Sequence, residues 1–194
     1  MHTVRRVLPH EYSKYCTHLK SLDYESKILR FGYAVKDEVI DGMCDSFEYN
    51  QDHHILFCIE NSQLDFVGVG HIALGNEMEL AFSVLKEYQG QGIGGALMQR
   101  CIQWCRTHNI LNGTMVCLSS NKVIRRLCSK HGITMTNDHG ETSAEIHLPP
   151  ADVGTYMAEA LDHNAAVLSW ITKRALWPLT TQTRQLEVRS QSSL

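Results

Sequence analysis

The 194-residue chain is 43% hydrophobic and 20% charged with a net charge of -3, the balance of an ordinary globular protein with room for one α/β domain and a sizeable core. No apolar run approaches the roughly 18 residues of a membrane span, polar Pro9-His10-Glu11 follows Arg5-Arg6 where a secretory leader would be apolar, and the overall acidity argues against general nucleic-acid binding. The expected location is therefore cytoplasmic; the seven scattered cysteines (Cys16, Cys44, Cys58, Cys101, Cys105, Cys117, Cys128) read as mostly reduced and buried, and no Cys/His set has metal-ligand spacing.

In chain order, "HTVRRVL" reads as a first strand. Helical stretches "EYSKYCTHLKSL" and "YESKILRF" follow Pro9, then an amphipathic turn in "KDEVIDGMCDSF". His53-His54 reads as a loop or strand edge. The apolar runs "HILFCIE" and "LDFVGVGHIAL", separated by Asn61-Ser62-Gln63, form a hairpin, and "EMELAFSVL" after Gly75-Asn76 extends it to a three-strand meander. The meander ends at Gly90-Gln91-Gly92-Ile93-Gly94-Gly95. Ile93, Leu97, Cys101 and Cys105 then recur at intervals of four, the apolar face of a helix running to about His108. "GTMVCLSS" returns to strand, and Asn121 caps a short basic helix, "KVIRRLCSK", that Gly132 ends. "GITMTN" and "ETSAEIHL" close the sheet around Asp138-His139-Gly140. Pro149-Pro150 separates residues 1–148 from a C-terminal segment, 149–194, of one long helix and a loose polar tail, "TTQTRQLEVRSQSSL". Val153, Met157, Leu161, Val167, Leu168 and Trp170 of that helix need apolar surface, from the sheet or from a second copy in a homodimer.

The glycine run matches the dinucleotide fingerprint G-x-G-x-x-G as a string, but that fingerprint opens the first strand-helix unit of a parallel sheet and needs an acid roughly 20 positions on. Here the glycines follow an antiparallel meander, and no acidic residue occurs between Glu87 and Asp138. A P-loop is excluded because no Gly-Lys-Ser/Thr follows. What stands is the physical property of such a loop: backbone N–H groups and a helix N-terminus aimed at a phosphate ester. Arg100, Arg106, Lys122, Arg125, Arg126 and Lys130 give the acid-free segment a positive potential that either attracts a polyanion or marks a solvated helix face.

Gln89, Gly92 and Gly94 also stand in the Q/R-x-x-G-x-G/A spacing directly after the strand "ELAFSV", and in this the chain resembles the GNAT superfamily of acetyl-coenzyme A-dependent N-acetyltransferases. "SSNKVIRRLCSKHGI" is similar to that family's second signature, and "LDYESKILRFG" to a segment of bacterial members that include protein-lysine acetyltransferases. The resemblance, over roughly residues 2 to 148, implies an α/β (α+β) fold with a mixed, mostly antiparallel sheet of six to seven strands flanked by helices. Its fourth strand would splay from the fifth to admit pantetheine. It further implies that the backbone of Phe82 and Val84 bonds the pantetheine amides, that Gln89, Gly90, Gln91, Gly92, Gly94 and Gly95 cradle the pyrophosphate, and that Asn121 touches the arm near its thioester. Acetyl-CoA would be the co-substrate, with no metal, and a primary amine of a small molecule or a protein lysine the acceptor, attacking directly in a ternary complex.

An amine of pKa near 10.4 must lose a proton before it attacks a thioester. Strand alternation sets Glu77, Glu79, Ala81 and Ser83 on one face and Met78, Leu80, Phe82 and Val84 on the other. Glu79, where many family members carry a glutamate, is the candidate base, with Glu77 and His71 as substitutes, and backbone N–H near Phe82 and Ser83 would hold the oxyanion. Where many members have a leaving-group tyrosine this chain has Cys128, readable as a weak acid or as a buried structural thiol; Ser83, Tyr88 or water are the replacements. The rival to an enzyme is an acyl-CoA-binding sensor or scaffold of weak activity. The acceptor side falls, by resemblance, to the first 50 residues and the strands after Gly132. Asp37, Glu38, Asp41 and Asp45 there either draw a cation or form a solvated helix face.

Overall fold

The computed structural model describes the backbone of residues 2–138 and 141–191, and the side chains of that span except residues 48, 137, 138, 141, 142 and 177–191. His139 and Gly140, read as a turn, lie outside the described residues.

Seven strands form one sheet: β1 (Arg5–Arg6), β2 (His54–Glu60), β3 (Phe66–Leu74), β4 (Met78–Val84), β5 (Asn112–Leu118), β6 (Thr134–Asp138) and β7 (Glu141–His147). Their spatial order is β1-β2-β3-β4-β5-β7-β6, and every neighbouring pair is antiparallel except β4 and β5. That parallel pair requires a crossover, supplied by helix α4 (Ile93–Thr107). Helices α1 (Tyr12–Lys20), α2 (Tyr24–Phe31) and α3 (Asp37–Tyr49) precede the sheet, α5 (Lys122–Lys130) follows β5, and α6 (Val153–Gln191) closes the chain. The expected meander, crossover helix and closing strands are all present. The sequence left open that β7, not β6, lies against β5.

Alternation along each strand builds two separate cores. Phe57, Ile72, Leu80 and Met115 pack with Leu97, Met98, Cys101 and Cys105 of α4, whose interval of four faces the sheet as expected. On the other face Leu56, Cys58 and Val69 pack with Tyr15, Leu19 and Ile40 of α1 and α3. Close seating of α4 depends on missing side chains: a Cβ at Gly68 would lie 2.6 Å from Ile93 Cγ2, and one at Gly70 would lie 2.8 Å from Cys101 Sγ.

Two features depart from expectation. Cys16 on α1 and Cys44 on α3 are joined by a disulfide, with Cα atoms 6.1 Å apart, while the other five cysteines are free and buried. The segment read as a loose tail continues α6 to Gln191; Gln, Arg, Leu and Glu are good helix formers that outweigh the threonine cluster. α6 packs on α4 and β1, with Thr155 and Ala166 buried, and Glu159 meets Arg100 at 3.2 Å. Val153, Met157, Leu161 and Leu168 remain exposed. Among the described residues no helix is long and apolar enough to cross a membrane, and no group of three or more potential metal ligands comes together.

Candidate active site

Strands β4 and β5 pair only at Met78 with Gly113 and Glu79 with Thr114, then part. Gly113 marks the pivot, because any Cβ there would overlap the Met78 carbonyl oxygen. Beyond the pivot the gap opens into a cleft of about 270 Å³. The hydrogen-bond parity of β4 shows what faces it. Leu85 N–H donates to Val67 O at 2.9 Å, continuing the register that pairs Ser83 with Val69 and Ala81 with His71. In an antiparallel pair such bonding alternates, so Ser83 and Ala81 point their amides at β3, and Phe82 and Val84 point theirs at the gap. Both line the cleft.

At the far end of β4 the chain enters the glycine loop. Gly90 and Gly92 have φ of +75° and +84°, a left-handed backbone that glycine adopts freely. This turn directs the chain into α4, so the first N–H groups of a 15-residue helix open on the cleft beside Gly94 and Gly95. Leu127 of α5 stands 3.4 Å from where a Gly94 Cβ would be. Gln89 lines the cleft as a brace: its Nε2 donates to Val84 O at 3.0 Å and to Ser26 Oγ at 3.1 Å, tying the strand end to α2. Gln91 turns away, its Nε2 donating to Glu87 O at 3.1 Å and its carbonyl accepting from His2 Nε2 at 2.7 Å. Asn121 is buried on the cleft wall and caps α5, its Oδ1 accepting from Ile124 N–H at 3.2 Å. Of the basic residues, Arg100 and Arg106 are engaged by α6 and the Pro149 and Pro150 carbonyls. Lys122, Arg125, Arg126 and Lys130 stay exposed on α5.

The opposite face of β4 carries Glu79, Ala81 and Ser83, as alternation predicts. Ser83 is buried on the cleft wall, and its hydroxyl lies 2.9 Å from His18 Nε2. The other ring nitrogen of His18, Nδ1, is 2.8 Å from Phe66 O, which can only accept. Nδ1 therefore carries the proton, Nε2 accepts, and the Ser83 hydroxyl donates. Burial, with the Arg30 cation adding to it, lowers the His18 pKa to about 4, so the ring is neutral at pH 7. With its proton committed to His18, Ser83 presents lone pairs to the cleft and suits accepting a hydrogen bond better than giving one.

His71 is buried between Tyr15 and Phe47, with its Nε2 3.0 Å from His54 Nδ1, and does not line the cleft. Glu79 is exposed at the pivot, about 13 Å along the strand from Ser83, and Glu77 is exposed in the preceding turn. Tyr88 lines the cleft. Cys128 is buried in the α4-side core, and burial pushes its thiol up to about 11. Two residues of this face were not singled out from sequence: His18, 65 positions before Ser83, and Arg30, which lines the cleft from α2. Of the acidic candidates for a cation, Asp37 and Asp41 already pair with Lys27 and Lys20.

The family model described as the acetyltransferase (GNAT) family matches residues 16–133. Acetyltransferase Pat of Mycolicibacterium smegmatis is 31% identical over 98 residues, which cover 50% of this chain and 29% of that protein. Among solved structures, the GNAT domain of S. lividans PAT superposes with a TM-score of 0.61 at 18% identity, covering 75% of this chain and 89% of that one. The PaiA N-acetyltransferase of Thermoplasma acidophilum, solved with coenzyme A, gives 0.56 at 14% identity, covering 74% and 97%. The family match spans more than half of the sequence, and the chain belongs to the GNAT family of acetyltransferases.

Proposed function

We propose that the chain is an acetyl-CoA-dependent N-acetyltransferase acting on a primary amine of a small molecule or a protein lysine. The observation that carries this is the parting of β4 from β5 after Glu79, which leaves the Phe82 and Val84 amides facing a cleft that ends on the N–H groups of the glycine loop and α4. These residues suit coenzyme A. The N–H groups at Gly90, Gly92, Gly94 and Gly95 meet a pyrophosphate, the β4 amides meet pantetheine, and the exposed cations of α5 favour the polyanion's approach. Acetyl-CoA supplies an activated acyl group whose thiolate is already a good leaving group.

Deprotonation of the acceptor falls to the Glu79 and Ser83 face. Glu79 sits on the strand that carries the cleft, and its distance from Ser83 calls for a water between it and the amine. Ser83 orients the amine: its hydroxyl proton is committed to neutral His18 Nε2, so its lone pairs accept a hydrogen bond from the acceptor N–H while the proton itself leaves through that water. Of the two N–H groups expected to hold the oxyanion, that of Phe82 faces the gap and would stabilise it, while that of Ser83 is committed to β3. Release of CoA in the presence of a panel of amines tests the reading; turnover that Glu79→Gln lowers without loss of CoA binding supports it.

A second reading, an acyl-CoA sensor or scaffold of weak activity, draws on one observation: neither Glu79 nor Cys128 lines the cleft. Acetyl-CoA stabilises the fold under both readings. A blank panel that includes protein substrates would select the sensor.

A further inference from the structure

Among the described residues Arg30 is the single charged side chain lining the cleft. Its Nη2 donates to Tyr15 Oη at 3.2 Å, its guanidinium stacks 5.0 Å from the Phe31 ring centroid, and its Nε is buried with no hydrogen-bond partner. Among the described residues no carboxylate lies within ion-pair distance of it. Its other neighbours do not compensate the charge. His18 and His71 are close enough for the Arg30 cation to add to the burial that keeps both imidazoles neutral, and Ser83 on the same wall is committed to His18.

A guanidinium cannot shed its proton, so a partly desolvated one held by a hydroxyl and a ring face is stabilised most by an anion, and a buried N–H without an acceptor is costly. On the reading proposed above, the phosphates of coenzyme A lie at the glycine loop. The part that passes Arg30, along Phe82 and Ser83, is neutral pantetheine and thioester. The missing anion must then arrive with the acceptor or with the acyl group. One cation, with no second positive side chain among the described residues of the cleft, matches a monoanion, and the planar fork of arginine matches a carboxylate.

We infer that Arg30 receives a substrate carboxylate at the reacting end of the cleft, carried either by the acceptor amine or by the acyl chain of the donor. The inference rests on the acetyl-CoA reading, and the test separates the two. One arm compares amino acids with their own carboxamides as acceptors of acetyl-CoA, following CoA release. The other compares succinyl-CoA and malonyl-CoA with acetyl-CoA for binding by calorimetry, which needs no acceptor.

In one arm the carboxylate-bearing compound is expected to be favoured at least about tenfold, in kcat/KM or in Kd. Arg30→Gln is expected to bring that ratio close to one, with Arg30→Lys, which keeps the charge and loses the fork, falling between. A ratio near one in both arms for the unaltered protein overturns the inference while leaving acetyl-CoA binding intact. A preference that survives Arg30→Gln also overturns it. Failure of the unaltered protein to bind coenzyme A at all overturns both it and the acetyl-CoA reading.

Discussion

The two faces of the sheet are built from different materials. Toward α4 the core is built of apolar side chains, with one buried cation, Arg100, lying over the Phe57 ring and paired with Glu159, and the glycines Gly68 and Gly70 let helix and sheet close to contact. Toward α1–α3 the same strands bury ionisable groups: His18 on Ser83, His71 on His54, and Arg30 beside the cleft, with the Cys16–Cys44 disulfide across α1 and α3. An apolar, tightly seated face fixes the position of a helix N-terminus. A polar one holds hydrogen-bonding groups against the reacting strand at a cost in desolvation. On the proposed reading, one side serves the cofactor and the other the chemistry.

The largest break in this comparison is expected from Gly94→Asp. Its Cβ would meet Leu127 Cδ1 at 3.4 Å, an ordinary contact, so the fold survives. A carboxylate facing phosphates where N–H groups now stand should weaken acetyl-CoA by about 4 kcal/mol, close to a thousandfold. Calorimetry reads this directly; near-native affinity would detach the glycine loop from the cofactor.

Acid should strike the other face. Between the ordinary value of 6.5 and the native value of about 4, the unfolded chain binds a proton that native His18 refuses. Stability from this group is therefore present above pH 6.5 and falls as pH drops toward 4, by about 3 kcal/mol in all. His71 and His54, also lowered chiefly by burial, act in the same direction. Melting temperature followed from pH 7.5 to 4.5 should decline across this window, and a flat profile would mean that these rings are not buried neutral.

Reducing Cys16–Cys44 releases a 28-residue separation and should lower stability by about 2 to 3 kcal/mol. Because both residues lie on the α1–α3 face, acetyl-CoA affinity per folded molecule should be unchanged; denaturant titration with and without reductant checks the first part and calorimetry the second. The smallest effect belongs to the Ser83 hydroxyl. Ser83→Ala is expected to cut kcat about tenfold, roughly 1.4 kcal/mol, while leaving acetyl-CoA affinity nearly constant. Equal losses in both would make Ser83 a structural hydroxyl.

What was legible follows the same division. Gln89 to Gly95 is a local pattern whose spacing sets its own backbone, and the interval of four from Ile93 to Cys105 reports one helix face, so the α4 side is written in consecutive residues. Alternation likewise sets Glu79 and Ser83 on one face of β4 and Phe82 and Val84 on the other. The α1–α3 side is made of distant pairs: His18 meets Ser83 across 65 positions and Cys16 meets Cys44 across 28. No period or spacing encodes such contacts, which exist only once two helices have docked on the sheet. Arg30 read as one more residue of an amphipathic helix until the cleft gave its side chain a direction. The order β5-β7-β6 was hidden for a similar reason, since a hairpin does not declare which of its strands meets the older sheet.

On the proposed reading, the gap between β4 and β5 holds the acyl donor, with its phosphates at the glycines and its reacting end back along the strand. A crystal structure of the protein with acetyl-CoA tests this most directly. The pyrophosphate is expected on the N–H groups of Gly90 to Gly95 and pantetheine on the Phe82 and Val84 amides, with the thioester between Ser83 and Arg30. A ligand bound elsewhere, or β4 and β5 found paired beyond Glu79 in its presence, would contradict it.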